Sequence, residues 1–102
     1  MATAIALYNP PTDPGAFDRY YTAKHVPLAK KLPGLRSYEV SAGPVMTPDG
    51  KVPYYLVAVL KFDTMSGLQA ALASPEGQAV VADLGNFATG GVSVLFFNDR
   101  DA

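Results

Sequence analysis

The sequence contains no cysteine, which excludes disulfides, iron–sulfur clusters and thiolate metal sites. It contains one histidine, so one chain cannot assemble a metal site from several imidazoles, and none is expected. Charge is scarce too. Asp, Glu, Lys and Arg supply 17% of the residues, against about 25% in an average soluble domain. The eight Lys and Arg residues are scattered, with Lys30-Lys31 the one doublet. Nothing here tracks a phosphate backbone, so no nucleic-acid partner is expected. Met1 to Leu7 is apolar but lacks a basic region, and it is too short for a signal peptide or a membrane span. The expected location is the cytoplasm. No repeat or low-complexity segment appears.

Hydrophobic residues are abundant, at 49% of 102. The length fits one domain, residues 1–102. A domain of this size buries roughly 65% of its unfolded surface, so its core is moderate. With so little charge to cover a monomer, oligomerisation is the natural remedy.

The pattern of elements is legible. Ala2 to Tyr8 is an apolar run of strand length. Asn9 to Asp13 is a loop, with Asp13 a good N-cap and Pro14 suited to the first helical position. A helix is predicted from Pro14 to about Lys24. Pro27 cannot donate to the carbonyl of Ala23, and it disfavours a helical Val26. A kink or stop is therefore expected near His25, with one further turn over Leu28 to Leu32 before Pro33-Gly34. Leu35 to Ala42 reads as a polar strand. Gly43 to Pro53 reads as a long, mobile loop, and Tyr54 to Phe62 as the clearest strand. Thr64 to Ala73 is helical. Ser74-Pro75 restarts a helix that ends at Gly85 or Asn86. Gly90-Gly91 turns into a last strand, Val92 to Phe97.

This order, β-α-β-β-α-β, matches the ferredoxin-like α+β arrangement, an antiparallel sheet with the polar second strand at an edge. Tyr54, Leu56, Ala58, Leu60 and Phe62 share one face of the third strand, and Tyr55, Val57 and Val59 the other. Val92, Val94 and Phe96 oppose Leu95 and Phe97. Both faces of the sheet are apolar, and two helical segments cover only one. An uncovered face of several hundred Å² leaves roughly 10 kcal/mol of burial unrealised, and such patches are rarely left in water. A homodimer packed sheet to sheet is expected, a dimeric α+β barrel.

His25 is the first candidate for chemistry, because its charge changes near neutral pH. It reads equally as a structural cap on carbonyls freed by Pro27, favoured by the helix C-terminal dipole. Tyr20 and Tyr21 are adjacent, so one packs in the core while the other can aim its hydroxyl into a cavity. The candidate catalytic set is His25, Tyr20 and Tyr21. Candidate ligand-binding residues are Phe17, Tyr54, Tyr55, Asp83, Asn86 and Phe87. Asp83 sits near the unfavourable end of a helix dipole, which calls for a polar partner. Gly90-Gly91 does not lead from a strand into a helix, so it is no phosphate loop.

Two segments resemble the EthD family of the dimeric α+β barrel superfamily. One is Phe17-Asp18-Arg19-Tyr20-Tyr21 with His25-Val26-Pro27-Leu28 and Pro33-Gly34-Leu35. The other is Ser74-Pro75-Glu76-Gly77-Gln78-Ala79-Val80-Val81-Ala82-Asp83-Leu84, continuing through Asn86-Phe87-Ala88-Thr89-Gly90-Gly91-Val92. The resemblance implies a ferredoxin-like subunit that dimerises through its sheets. It implies His25 as the active group and a functional link to an oxygenase system, since the namesake group accompanies bacterial ether degradation. Relatives in the wider superfamily isomerise lactones, cyclise polyketides, oxidise aromatic compounds without a metal, or act on haem.

Three readings follow. In the first, His25 moves a proton on a small, mostly apolar oxygenated substrate, in lyase, isomerase or cyclase chemistry without a cofactor. In the second, the chain binds or carries a small apolar ligand beside an oxygenase. In the third, His25 is the axial ligand of a haem.

Overall fold

The computed structural model describes residues 1–102. Four strands, β1 (Ala2–Tyr8), β2 (Ser37–Val40), β3 (Leu56–Phe62) and β4 (Val92–Asn98), form one sheet in the order β2-β3-β1-β4. Every neighbouring pair is antiparallel. The fold is ferredoxin-like α+β, and the polar β2 occupies an edge as expected.

Local chemistry explains where the helices start. Asp13 accepts a hydrogen bond from the amide of Ala16, and α1 (Pro14–Tyr20) follows with proline at its first position. Thr64 caps α3 (Met65–Ala73) through the amide of Gly67. Ser74 caps α4 (Pro75–Phe87) through the amide of Gly77. A Cβ on Gly77 would lie 2.1 Å from the carbonyl oxygen of Ala71. Glycine is therefore what lets α4 leave α3 at so tight a corner.

Of the kink or stop expected near His25, the stop does not occur, and the α-helix is instead interrupted by a π turn that ends at His25. After α1 the chain makes a π-helical turn, Tyr21–His25, and continues into α2 (Val26–Ala29). Val26 is helical, with φ −57° and ψ −48°, and its amide donates to the carbonyl of Tyr21, five residues back. The wider turn absorbs the proline instead of ending the helix. It also has a packing consequence. Phe17, Tyr21, His25 and Ala29 recur every four residues, and all are buried. A stride of four overshoots the 3.6-residue α-turn by about 40°, so three strides would drift about 120°. A π turn takes up part of that drift and keeps all four side chains toward the sheet.

Other boundaries move less. The second strand is regular only over Ser37–Val40, and α4 runs on to Phe87, past Gly85 and Asn86. Tyr54 pairs with Val45 in an isolated bridge, and a bend at Tyr55 precedes β3. The bend breaks the alternation. Tyr55 and Leu56 both pack on the helix side, where Tyr55 meets Phe17 edge to face at 5.2 Å.

The helices cover the face carrying Ala2, Ala4, Ala6 and Tyr8, all of which are buried. The opposite face presents Ile5, Leu7, Val57, Val59, Leu95 and Phe97. Leu95 is 52% and Phe97 45% exposed. No helix of the chain is long and apolar enough to cross a membrane.

Candidate functional site

The site lies where the π-helical turn faces the C-terminal half of α4. Two loop contacts bring these elements together. Asn9 donates from its amide to the carbonyl of Gly91 and from its side chain to that of Gly90. A Cβ on Gly90 would sit 2.2 Å from the carbonyl oxygen of Pro10, so the approach requires glycine there. The end of α4 is thereby pinned against the start of α1.

Asp83 of α4 is the hub, and it is buried. One carboxylate oxygen accepts from the Tyr20 hydroxyl at 2.6 Å and from the Asn86 amide at 2.9 Å. The other accepts from Nδ1 of His25 at 2.9 Å. Burial raises the Asp83 pKa, but the hydrogen bonds from Tyr20, Asn86 and His25 together outweigh it and hold the carboxyl below its ordinary value. An ionised carboxylate only accepts, so Nδ1 must be the donor. Neutral His25 is thereby set in the tautomer that leaves Nε2 with a free lone pair.

His25 is buried. Burial lowers its pKa, and the neighbouring Asp83 offsets this only in part. The imidazole is therefore neutral and basic at neutral pH. The ring of Phe87 lies 4.6 Å from it and also stacks on Tyr20. Nε2 makes no hydrogen bond within the protein, and no fully occluded side-chain polar atom lacks a partner. Nε2 is consequently open to the cavity that His25 lines.

That cavity lies between helices and sheet, with a volume of about 70 Å³. Fifteen of its sixteen lining residues are hydrophobic, counting Tyr8, Tyr21 and Tyr38. Val81 and Val94, also in the lining, are 54% and 45% exposed, so the mouth opens between α4 and β4. Tyr21 and Tyr38 hydrogen-bond hydroxyl to hydroxyl. Burial pushes the pKa of both upward, keeping them protonated.

The residues singled out from sequence separate into three groups. His25 and Tyr21 line the cavity. Tyr20, Asp83 and Asn86 form the network behind the imidazole. Phe17 and Phe87 sit in the buried aromatic packing. Tyr54 and Tyr55 lie apart from the network: Tyr55 donates to the exposed Asp18, and neither tyrosine lines the cavity. Sequence reasoning missed Tyr8 and Tyr38. Period-two alternation could have found Tyr8, which shares a face with Ala2, Ala4 and Ala6. It could equally have placed Tyr38 on the inward side of β2, opposite Leu60.

No group of three or more His, Asp or Glu residues is arranged to hold a metal. A haem on His25 does not fit either. The cavity falls well below the roughly 300–1,000 Å³ of sites for drug-sized ligands, and a porphyrin needs at least as much.

The fold and much of the sequence are shared with known proteins. The EthD domain model matches residues 9–91. An uncharacterised 11.0 kDa protein from the thcB-thcC intergenic region of Rhodococcus erythropolis is 44% identical over 101 residues, covering 98% of this chain and 96% of that one. The crystal structure of an ethyl tert-butyl ether D (EthD) family protein from Bacillus halodurans superposes with a TM-score of 0.89 at 35% identity, over 98% of this chain and 99% of that one. SnoaB, a cofactor-independent oxygenase from Streptomyces nogalater, shares the fold with a TM-score of 0.65 at 18% identity, over 99% and 94% of the two chains.

Proposed function

The chain belongs to the EthD family, and from that premise we propose that it acts on small, mostly apolar, oxygen-bearing compounds, with His25 giving or taking a proton. One observation carries this reading. Nδ1 of a buried histidine is tied to a buried carboxylate, which leaves Nε2 as a base at an apolar cavity. Asp83 holds the tautomer and would stabilise the imidazolium formed when Nε2 takes a proton. Tyr20 and Asn86 hold Asp83 in turn. Proton-transfer steps of the lyase, isomerase and cyclase type use such a base and need no redox cofactor.

The test needs no known substrate. The protein is incubated in D₂O with a panel of small ketones and lactones, and loss of the α-proton signal is followed by NMR. At least one member should exchange faster with the wild type than with His25→Gln, by about 10²-fold or more. Equal exchange by both proteins across the panel would sink the acid–base role.

The second reading is a ligand carrier, favoured by the almost wholly apolar lining. It predicts binding that survives His25→Gln, with no exchange.

The outer sheet face supports a homodimer as the working unit. Only 18 of 102 residues are buried in the single chain, and Leu95 and Phe97 are left half-exposed on a face with no helix above it. Sedimentation should give about twice the 10.8 kDa chain mass. Leu95→Asp should reduce it to the monomer or unfold the chain, and a wild-type protein that sediments as a monomer would exclude the dimer.

A further inference from the structure

The cavity has a second unused polar group, and it comes from β1 rather than from the helices. Tyr8 is 2% exposed and lines the cavity. Its ring is packed by Phe17, Tyr21 and Phe87. Its hydroxyl has no hydrogen-bond partner within the protein, yet no sealed polar atom is left unsatisfied. A hydroxyl that is neither partnered nor sealed, on a side chain so deeply buried, faces the cavity.

A count of phenolic protons shows how distinctive this is. The Tyr20 proton is committed to Asp83 and the Tyr55 proton to Asp18. Tyr21 and Tyr38 share one hydrogen bond, which uses one of their two protons. Tyr8 keeps its own. Its pKa is raised, first by burial and then by Tyr38 and by the Asp83 carboxylate. The group is therefore a neutral donor, within electrostatic reach of the His25–Asp83 end. The cavity thus offers donors at Tyr8 and at the Tyr21–Tyr38 pair, and a basic lone pair at His25. No Lys or Arg lines it. A buried anionic ligand would find no cation and would face the Asp83 charge behind the imidazole.

We infer that Tyr8 is the residue that holds the ligand's oxygen, and that the cavity selects uncharged carbonyl compounds over carboxylates. A carbonyl oxygen has two lone pairs and so matches the two available donors. Nε2 of His25 opens onto the same cavity, where it can meet the adjacent acidic C–H. The inference rests on the cavity reading above, but it concerns recognition and is tested without turnover.

Two probes of nearly the same shape, cyclopentanone and methylenecyclopentane, and the anionic cyclopentanecarboxylate separate the possibilities. Binding is measured by amide NMR titration at pH 7.5 with the wild type and Tyr8→Phe. That substitution removes one unpartnered oxygen and keeps the ring, and an unchanged amide spectrum verifies the fold. Tyr8→Phe should weaken cyclopentanone about fivefold, as for one neutral hydrogen bond, and alter methylenecyclopentane less than twofold. The carbonyl stretch of bound cyclopentanone should lie lower in the wild type than in Tyr8→Phe. The carboxylate should not compete with the ketone. Equal effects of Tyr8→Phe on ketone and alkene, an unshifted stretch, or equal competition by the carboxylate would overturn the inference while leaving the cavity reading intact. If none of the probes binds, both fall.

Discussion

The layer between helices and sheet has two halves of equal size and opposite character. At one end Ala2, Ala4, Leu32, Phe62, Leu68 and Ala71 pack together. At the other, Ala6, Tyr8, Phe17, Tyr21, Ala58 and Phe87 do so. Successive inward residues of β1 serve first one half and then the other. The first half carries no polar side-chain atom, so burial alone satisfies it. The second is built from rings in offset and edge-on contact, such as Tyr8 on Phe17 at 5.4 Å. Those rings carry hydroxyls inward, and each hydroxyl needs a partner or an opening. The contrast teaches why the chemistry sits where it does. Both halves line the cavity, through Ala4 and Leu32 on one side and Tyr8 and Tyr21 on the other, but the Asp83 network sits with the aromatic half because its packing units bring polar tips with them.

Several substitutions would break or sharpen this contrast. The largest effect belongs to the aliphatic half. Leu68 is fully buried, and Leu68→Ala should cost about 2–5 kcal/mol in denaturant unfolding. Binding per folded molecule should be unchanged. A loss under about 1 kcal/mol would show that this half is not the centre of stability.

In the aromatic half, Asp83→Ala leaves the Tyr20, Asn86 and His25 donors without their acceptor. It should cost about 1–3 kcal/mol and release the His25 tautomer, read from the imidazole ¹⁵N shifts. Retention of a single Nδ1–H tautomer in that variant would remove the orienting role of Asp83.

The pH dependence separates the halves more finely. Burial lowers the His25 pKa below its unfolded value of 6.5, so between those two values the folded state binds fewer protons. Stability is then complete above pH 6.5 and falls as the pH drops toward the folded value, by at most ~1.4 kcal/mol per pH unit. His25→Gln should flatten that slope, while Leu68→Ala should lower stability and leave the slope alone. Asp83 acts in a separate window. Its depressed pKa keeps its contribution intact above the ordinary 3.8, and that contribution is lost only at more acidic pH. An unchanged slope in His25→Gln would contradict a buried, neutral imidazole.

The smallest effect is expected at the solvent edge of the aromatic half. The Tyr55 hydroxyl donates to exposed Asp18, so Tyr55→Phe should change stability by less than about 0.5 kcal/mol. A larger loss would mean that the rim, and not only the Asp83 network, holds these rings in place.

The sequence by itself determined the order of elements, the helix starts at Asp13, Thr64 and Ser74, the polar edge strand and the apolar outer face. These depend on neighbours a few residues apart and on periods of two and 3.6, which any single chain displays. It also singled out His25 and asked for a partner to Asp83. Tertiary structure decided that each is the other's partner, 58 residues apart. It decided that Pro27 is absorbed by a π turn, because four side chains at a stride of four must all reach the sheet. It placed Tyr55 on the helix side through one bend, which period-two reasoning cannot foresee. And it left Tyr8, a residue that alternation makes ordinary core, as an inward hydroxyl without a partner. Which polar tips meet and which stay free is a matter of distances across packed elements, and no local pattern in the chain encodes those distances.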